Sequence, residues 1–290
     1  MDTETRPDDA PRTRTGVLRA LTGALGSPTG AFRSLAVRNF RLFAFGQVVS
    51  VAGTWMMVVA QDWSVLALTD DSATALSVVT ALQFTPILLL ALYGGRLADR
   101  YDKRALLTGA NVVSGVLAAG LAPLMLSGHL QLWHMYLFAL GLGTANSVEI
   151  PARMSFVREM VGPDLLPNAS ALSAAYFNIA RIAGPALGGL LVGWLGSGLV
   201  VALNAVSYLA TVVALRMMRS SELRRQVGGA RTRVIDGLRY TASRPDLLLP
   251  MALVAVIGLF GFNFQLTLPL LAKTVFHTSA ASFGLLTAAL

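Results

Sequence analysis

An all-α, polytopic membrane fold is the class this sequence predicts, and three observations predict it. The 290 residues are 54% hydrophobic and only 13% charged, about half the ~25% charged residues of soluble domains. Mean hydropathy is +0.62, and the apolar residues gather in repeated runs long enough to cross a bilayer as helices. Those runs have no period of two, the alternation that the roughly ten-residue strands of a membrane barrel require. They are therefore helices, whose backbone groups satisfy one another in lipid.

Composition also excludes several kinds of chemistry. There are no cysteines, so disulfides, thiolate zinc sites and iron–sulfur clusters are out. His129, His134 and His277 are scattered and make no metal-ligand pattern. No Gly-Lys-Ser/Thr phosphate loop and no nucleophile elbow occurs, so neither ATP-driven transport nor hydrolysis is supported. Neither an enzyme nor a resident cofactor is expected.

Taken in order, residues 1–38 are rich in Arg, Thr, Pro and Gly and are expected to form a largely disordered tail. Within it, Phe32 to Phe40 has the pattern of a short amphipathic helix on the membrane surface. No clean signal-peptide pattern is read here, because the apolar stretch from Val17 to Leu25 is short and is interrupted by Arg19. Spanning helices are expected over 42–68, 76–93, 105–126, 130–148, 169–195 and 199–218, forming a six-helix bundle across residues 39–218. A basic linker, 219–246, follows, with Val234, Ile235 and Leu238 marking one short amphipathic helix. A seventh helix over 247–271 and an eighth beginning near Ser282 open a second, partial bundle in residues 247–290.

The net charge of +8 raises the question of nucleic acid, and the positions of the charges answer it. Seven basic residues lie in the tail through Arg41. Four follow the second helix, two follow the fourth and eight follow the sixth, together 21 of the 23. Only Arg181, inside a helix, and Lys273, on the opposite side, depart from the pattern. So one-sided a distribution places the N-terminus and all these connections in the cytoplasm, against a plasma (inner) membrane. It accounts for the basic pI with no nucleic acid partner.

The most charged connection is Gly94 to Arg104, in which six of eleven residues carry charge. It reads as a very short cationic loop on the cytoplasmic face, with Gly95 permitting close helix approach and Asp99 available to a helix N-terminus or a basic partner. Three ionisable residues lie within spanning segments, where each is costly and a functional candidate: Asp62, Glu149 and Arg181. Asp62 follows Arg41 by 21 residues, ~31 Å of helix, and is expected in the outer part of helix one beside Trp63. Glu149 stands at the inner end of helix four, a favourable four residues before Arg153. Arg181 lies about a third of the way into helix five, where a buried guanidinium needs an acidic partner or an anionic ligand; Asp62 and a cargo carboxylate both stay open. Around it, Ala180, Gly184, Gly188 and Gly189 allow close helix packing, and Pro185 removes a backbone donor and kinks the helix.

Gly95, Leu97, Asp99, Arg100, Lys103, Arg104 and Leu107 resemble the signature loop between helices two and three of the major facilitator superfamily, with Asp102 where a glycine is usual. The resemblance implies a conformational latch made of Gly95, Asp99, Arg100, Lys103, Arg104, Glu149 and Arg153, in which Glu149 meets Arg100 or Arg104. The string Ala180–Gly189 resembles the helix-five motif of drug–proton antiporters, with Ala180 in place of its first glycine. Gln61-Asp62-Trp63, Glu149-Ile150-Pro151-Ala152-Arg153, Leu166-Pro167-Asn168-Ala169 and Asn178-Ile179-Ala180-Arg181 resemble the branch containing enterobactin-type siderophore exporters and macrolide-efflux-like proteins. The likeness spans Asn39 to Leu290. It implies export of small amphiphilic molecules by proton antiport with alternating access, the partners being the bilayer, the cargo and protons. Asp62, Glu149 and Arg181 are the candidate proton or cargo residues. Seven to eight of twelve implied helices are present, so a C-terminally truncated chain is expected. The competing expectation is a non-transporting membrane protein or partner subunit.

Overall fold

The computed structural model describes residues 28–224, 239–261 and 264–289. The expected disorder of residues 1–27 and the helix marked by Val234, Ile235 and Leu238 lie outside the described residues. Six long helices follow one another: α1 (Arg38–Leu68), α2 (Ala73–Arg100), α3 (Lys103–Leu126), α4 (Leu132–Val161), α5 (Leu166–Leu195) and α6 (Ser197–Met217). Three shorter ones follow, α7 (Pro245–Gly261), α8 (Phe264–Leu270) and α9 (Ala280–Ala289), with a π-helical turn over Leu271–Val275 after α8. Of the six long helices, all but α4 are apolar enough along a spanning window to cross a membrane by length and composition. The second half of α4 instead carries Asn146, Glu149, Arg153, Arg158 and Glu159.

Two boundaries differ from expectation, both for physical reasons. The charged segment Gly94–Arg104 is mostly helix: α2 continues to Arg100 and α3 begins at Lys103, leaving Tyr101 and Asp102 as the turn. Asp102 caps α3, its carboxylate accepting from the Arg104 and Ala105 N–H groups at 2.9 and 3.2 Å. Its backbone is extended (φ −60°, ψ 114°), so the place where a glycine is usual demands no left-handed residue, and the carboxylate satisfies donors that glycine would leave open. Arg100, in the last turn of α2, complements the negative end of that helix. The fourth helix does not stop at Val148 but runs to Val161, with Pro151 inside it. Lacking an N–H, Pro151 leaves the Ser147 carbonyl free of its ladder partner. The backbone of Gly94 packs against that carbonyl, so closely that a Cβ at Gly94 would lie 2.0 Å from its oxygen.

The N-terminal segment is likewise not one surface helix. A helical turn (Pro28–Ala31) and a 3-10 turn (Arg33–Ala36) precede an extended Val37, after which α1 begins. Asn168, at the start of α5, holds this segment: its Oδ1 accepts from Ser34 N–H at 2.9 Å, and its Nδ2 donates to the Gly30 and Ala31 carbonyls at 3.0 Å. Asn39 and the backbone of Arg219 exchange two hydrogen bonds at 3.0 and 3.1 Å, tying the first turn of α1 to the chain just past α6.

Two large apolar clusters form the interior of the six long helices, besides a small one of Val59, Ala272 and Phe283. One, at the basic end of the bundle, centres on Phe40, Phe43, Leu107, Phe156 and Leu215, with Phe43 and Phe156 edge-to-face at 5.7 Å. The other, at the far end, centres on Met57, Leu66, Leu76, Phe138 and Leu142. Polar residues lie between them.

Candidate functional site

Between the two apolar clusters the helices leave a cavity of ≈330 Å³. One stripe of α1 forms its longest wall. Gln47, Ser50, Thr54, Val58, Gln61 and Asp62 recur at helical spacing over 15 residues, ~22 Å at 1.5 Å per residue. Thr80, Gln83, Phe84 and Ile87 come from α2, Asn111 from α3, and Asn146, Glu149, Ile150 and Arg153 from α4, while Phe177 and Tyr208 close it from α5 and α6.

The cavity has two chemically different poles. Toward the basic end, the Arg153 guanidinium lies 3.8 Å from the Glu149 carboxylate and donates to Gln47 Oε1 at 3.2 Å. Cation and anion neutralise each other there. At the other pole Asp62 is 5% exposed and Gln61 3%. The Gln61 amide donates from Nε2 to Gln83 Oε1 at 3.2 Å, and Gln61 Oε1 is buried without a hydrogen-bond partner. The Asp62 carboxylate has no hydrogen-bond or ion partner among the described residues. Midway, Thr54 and Tyr208 hydroxyls stand 3.5 Å apart, and the Trp55 and Phe177 rings meet edge-to-face at 6.3 Å.

Asp62, Glu149 and Arg153 are therefore brought into one space. Arg181 is not: it is exposed, halfway along α5, and neither lines the cavity nor pairs with an acid among the described residues. The expectation of a buried guanidinium assumed that every face of helix five is covered, and the face carrying Arg181 is not.

The residues grouped as a latch separate into three sets. Glu149 and Arg153 belong to the cavity. Asp99 and Arg100 are exposed on the last turn of α2, the Arg100 guanidinium lying 5.7 Å from the Tyr101 ring centroid. Lys103 and Arg104 are engaged at the basic end. Lys103 Nζ donates to Glu159 Oε1 at 2.6 Å, with side chains only 9% and 8% exposed. Arg104 donates to Ser220 Oγ at 2.6 Å and to the Arg216 carbonyl at 2.9 Å. The expected contact of Glu149 with Arg100 or Arg104 is thus replaced. Because α4 runs on to Val161, Glu149 lies about three turns above its end, and Glu159 is the acid that meets the connection. The close helix approach expected of Gly95 belongs to its neighbour Gly94 instead: a Cβ on Gly95 would meet nothing within 4 Å.

The helix-five residues form a notch with two faces, and all of Ala180, Gly184, Pro185, Gly188 and Gly189 are buried. Gly184 and Gly188 face α1, where added Cβ atoms would come within 2.5 Å of the Trp55 Cβ and 2.8 Å of the Met56 Cα. Gly189 and Pro185 face α9: a Cβ on Gly189 would lie 2.3 Å from the Ala280 carbonyl oxygen, and one on Gly284 2.3 Å from that of Pro185. Nearby, Lys273 forms an ion pair with Asp71 at 2.6 Å and lies 5.4 Å from the Trp63 ring centroid. Trp63 in turn stacks with Phe283 at 6.4 Å. The segments after residue 264 thus meet the first six helices at the end opposite the basic one, while every position of α7 whose burial is described is exposed.

Sequence reasoning missed Glu159, Gln61 and Gln83. A helix-four register carried through Pro151 would have found the first. The other two are amides on otherwise apolar spans, a signal as informative in lipid as a charge.

Long apolar helices packed around a cavity with both polar and apolar lining define a multi-pass membrane protein with an internal site sized for a small molecule. The chain belongs to the transmembrane secretion effector family of the major facilitator superfamily, whose family model matches residues 29–290. It is 26% identical over 243 residues to a staphyloferrin A transporter of Staphylococcus aureus, an alignment covering 80% of this chain and 59% of that protein. Against the multidrug efflux pump Tap of Mycobacterium tuberculosis it is 26% identical over 196 residues, covering 61% and 43%. With the MFS-type transporter YfiS of Bacillus subtilis it shares 24% identity over 220 residues, covering 74% and 51%. The chain spans about half the length of the curated relatives it matches.

Proposed function

We propose that the protein is a secondary active exporter of small amphiphilic molecules and that the cavity inside α1–α6 is where cargo and proton bind. One observation carries the reading: a single cavity is lined by both Asp62 and Glu149, within a family of membrane transporters. Drug and siderophore transport by its relatives supports the export of small molecules. In this reading the basic end faces the cytoplasm of the plasma membrane, and Asp62, without a counter-cation, is the site that gains and loses the coupling proton.

The same geometry supports a reading by alternating access. The Lys273–Asp71 ion pair, the Trp63–Phe283 stack and the Gly189–Gly284 contact close the outer end. In this reading these contacts belong to an outside-closed state of a cycle in which two bundles rock about the cavity. Asp99 and Arg100, exposed here, are the latch surface free to engage in the opposite state.

The test is dye transport by everted membrane vesicles under an imposed pH gradient. Wild-type transport is expected to collapse when the gradient is dissipated, and Asp62→Asn to reduce the proton-driven rate at least tenfold. Full proton-coupled transport by both Asp62→Asn and Glu149→Gln contradicts the assignment of the proton site.

A further inference from the structure

A second recess lies outside the cavity, where the start of α3 meets the end of α6. These two helices pack on each other, while the segments after residue 264 pack on α1, α2 and α5. The outer flank of α3 and α6 is therefore uncovered among the described residues. Val112, Val113 and Val116 of α3 and Val206, Leu209 and Val213 of α6 are exposed on it, an apolar track that in a bilayer faces lipid. At the basic end this track runs into an open groove of ≈540 Å³ lined by Asp102, Arg104, Ala105, Thr108, Gly109 and Arg216.

The two cations of the groove lack an anion between them. Arg104 is fixed by neutral groups, donating to Ser220 Oγ at 2.6 Å and to the Arg216 carbonyl at 2.9 Å. The second bond sets its guanidinium against the residue that carries the other. The Arg216 side chain is exposed and has no hydrogen-bond or ion partner among the described residues. Like charges lining one groove repel until an anion joins them. Asp102 offsets only one of the two, and its Oδ1 is turned to the first N–H groups of α3. The floor is shaped as well. Gly109 is exposed, and a Cβ there would meet nothing within 4 Å. Unlike Gly94 or Gly184, it serves no close approach within the chain, although glycine inside a helix is less favourable than alanine. With Ala105 one turn earlier, it keeps the floor low where the charged mouth meets the apolar track.

We propose that this groove binds an anionic phospholipid of the leaflet at the basic end, its phosphate between Arg104 and Arg216 and one acyl chain laid over Ala105 and Gly109 onto the valine track. Guanidinium groups hold phosphate oxygens through paired N–H donors, and basic pockets between membrane helices suit such headgroups. A zwitterionic headgroup brings a cation of its own, which the excess positive charge disfavours. A free phosphate ion would satisfy the arginines but leave Gly109 and the valines without a role. The inference needs only a membrane-spanning bundle and is independent of what the cavity carries.

The cysteine-free sequence allows a bimane fluorophore at Val112→Cys, eight residues or ~12 Å along α3 from Arg104. The full chain is reconstituted in vesicles of phosphatidylcholine and phosphatidylglycerol with one or the other brominated, and quenching gives their relative affinity at that position. Phosphatidylglycerol is expected to be preferred about fivefold, the scale of one basic side chain against anionic lipid, with no preference at Leu199→Cys at the far end of α6. Arg216→Gln keeps the carbonyl that Arg104 uses and should bring the preference close to one. Gly109→Leu, which leaves the charge unchanged, should at least halve it. Equal quenching by the two lipids at Val112→Cys, or a preference unmoved by Arg216→Gln, overturns the proposal. A preference unmoved by Gly109→Leu, or abolished by excess inorganic phosphate at constant ionic strength, marks a plain anion site and overturns the lipid assignment.

Discussion

The buried pair Lys103–Glu159 shows most plainly what single residues do here. Two charges 2.6 Å apart and almost fully buried offset one another's desolvation only while both are present. Glu159→Gln or Lys103→Met is therefore expected to lower stability by about 3–5 kcal/mol, the cost of stranding the other charge. The double variant Lys103→Met/Glu159→Leu should recover most of that loss, since well-packed apolar residues often replace a buried pair at little cost. Thermal unfolding in detergent measures all three, and a double variant as unstable as the singles contradicts the pairing. At this scale the candidate site was partly legible. A carboxylate such as Asp62 in an apolar span announces itself, because lipid makes charge costly. Its partners did not, because whether Gln61 and Gln83 meet depends on the packing of α1 against α2. Arg181 was misread for the same reason: only tertiary structure decides which face of a helix is covered.

At the scale of elements, α2 and α4 are held together at a point where a missing donor meets a missing side chain. Pro151 frees the Ser147 carbonyl and Gly94 lets the α2 backbone reach it. Gly94→Val is expected to push the helices apart and cost about 1–3 kcal/mol, as overpacking does. Gly95→Ala, pointing into open space, should be neutral or stabilise by a few tenths to about 1 kcal/mol, because glycine inside a helix is less favourable than alanine. The same unfolding measurement separates the two, and equal destabilisation by both would contradict the packing. This pair of helices also shows where sequence reasoning ran short. Charge density reads as a loop, and that signal pointed the wrong way between Gly94 and Arg104, while the end expected for helix four at Val148 fell short of a helix that continues through Pro151. A helix that emerges from lipid keeps its hydrogen-bond ladder while its side chains become polar. Composition marks the edge of the hydrocarbon, not the end of the helix. The number and order of the six long helices were legible, because apolar runs of spanning length have little alternative in lipid.

For the whole molecule, the contacts that close the end opposite the basic residues lie between α1, α2 and α5 and the segments after residue 264. Asp71→Asn removes the charge facing Lys273 and should loosen that closure. The cysteine-free sequence makes this measurable: Trp63→Cys in an Asp71→Asn background is expected to react several-fold faster with an external, membrane-impermeant maleimide than Trp63→Cys alone, and equal rates would contradict the ion pair's role. The most direct test of the cavity as the cargo site places one cysteine at Thr54, on the α1 stripe between the two poles, and follows its maleimide labelling with and without rhodamine 6G. Labelling from the cytoplasmic side that saturating dye slows at least fivefold is the predicted result; labelling unaffected by the dye, from either side, would contradict it.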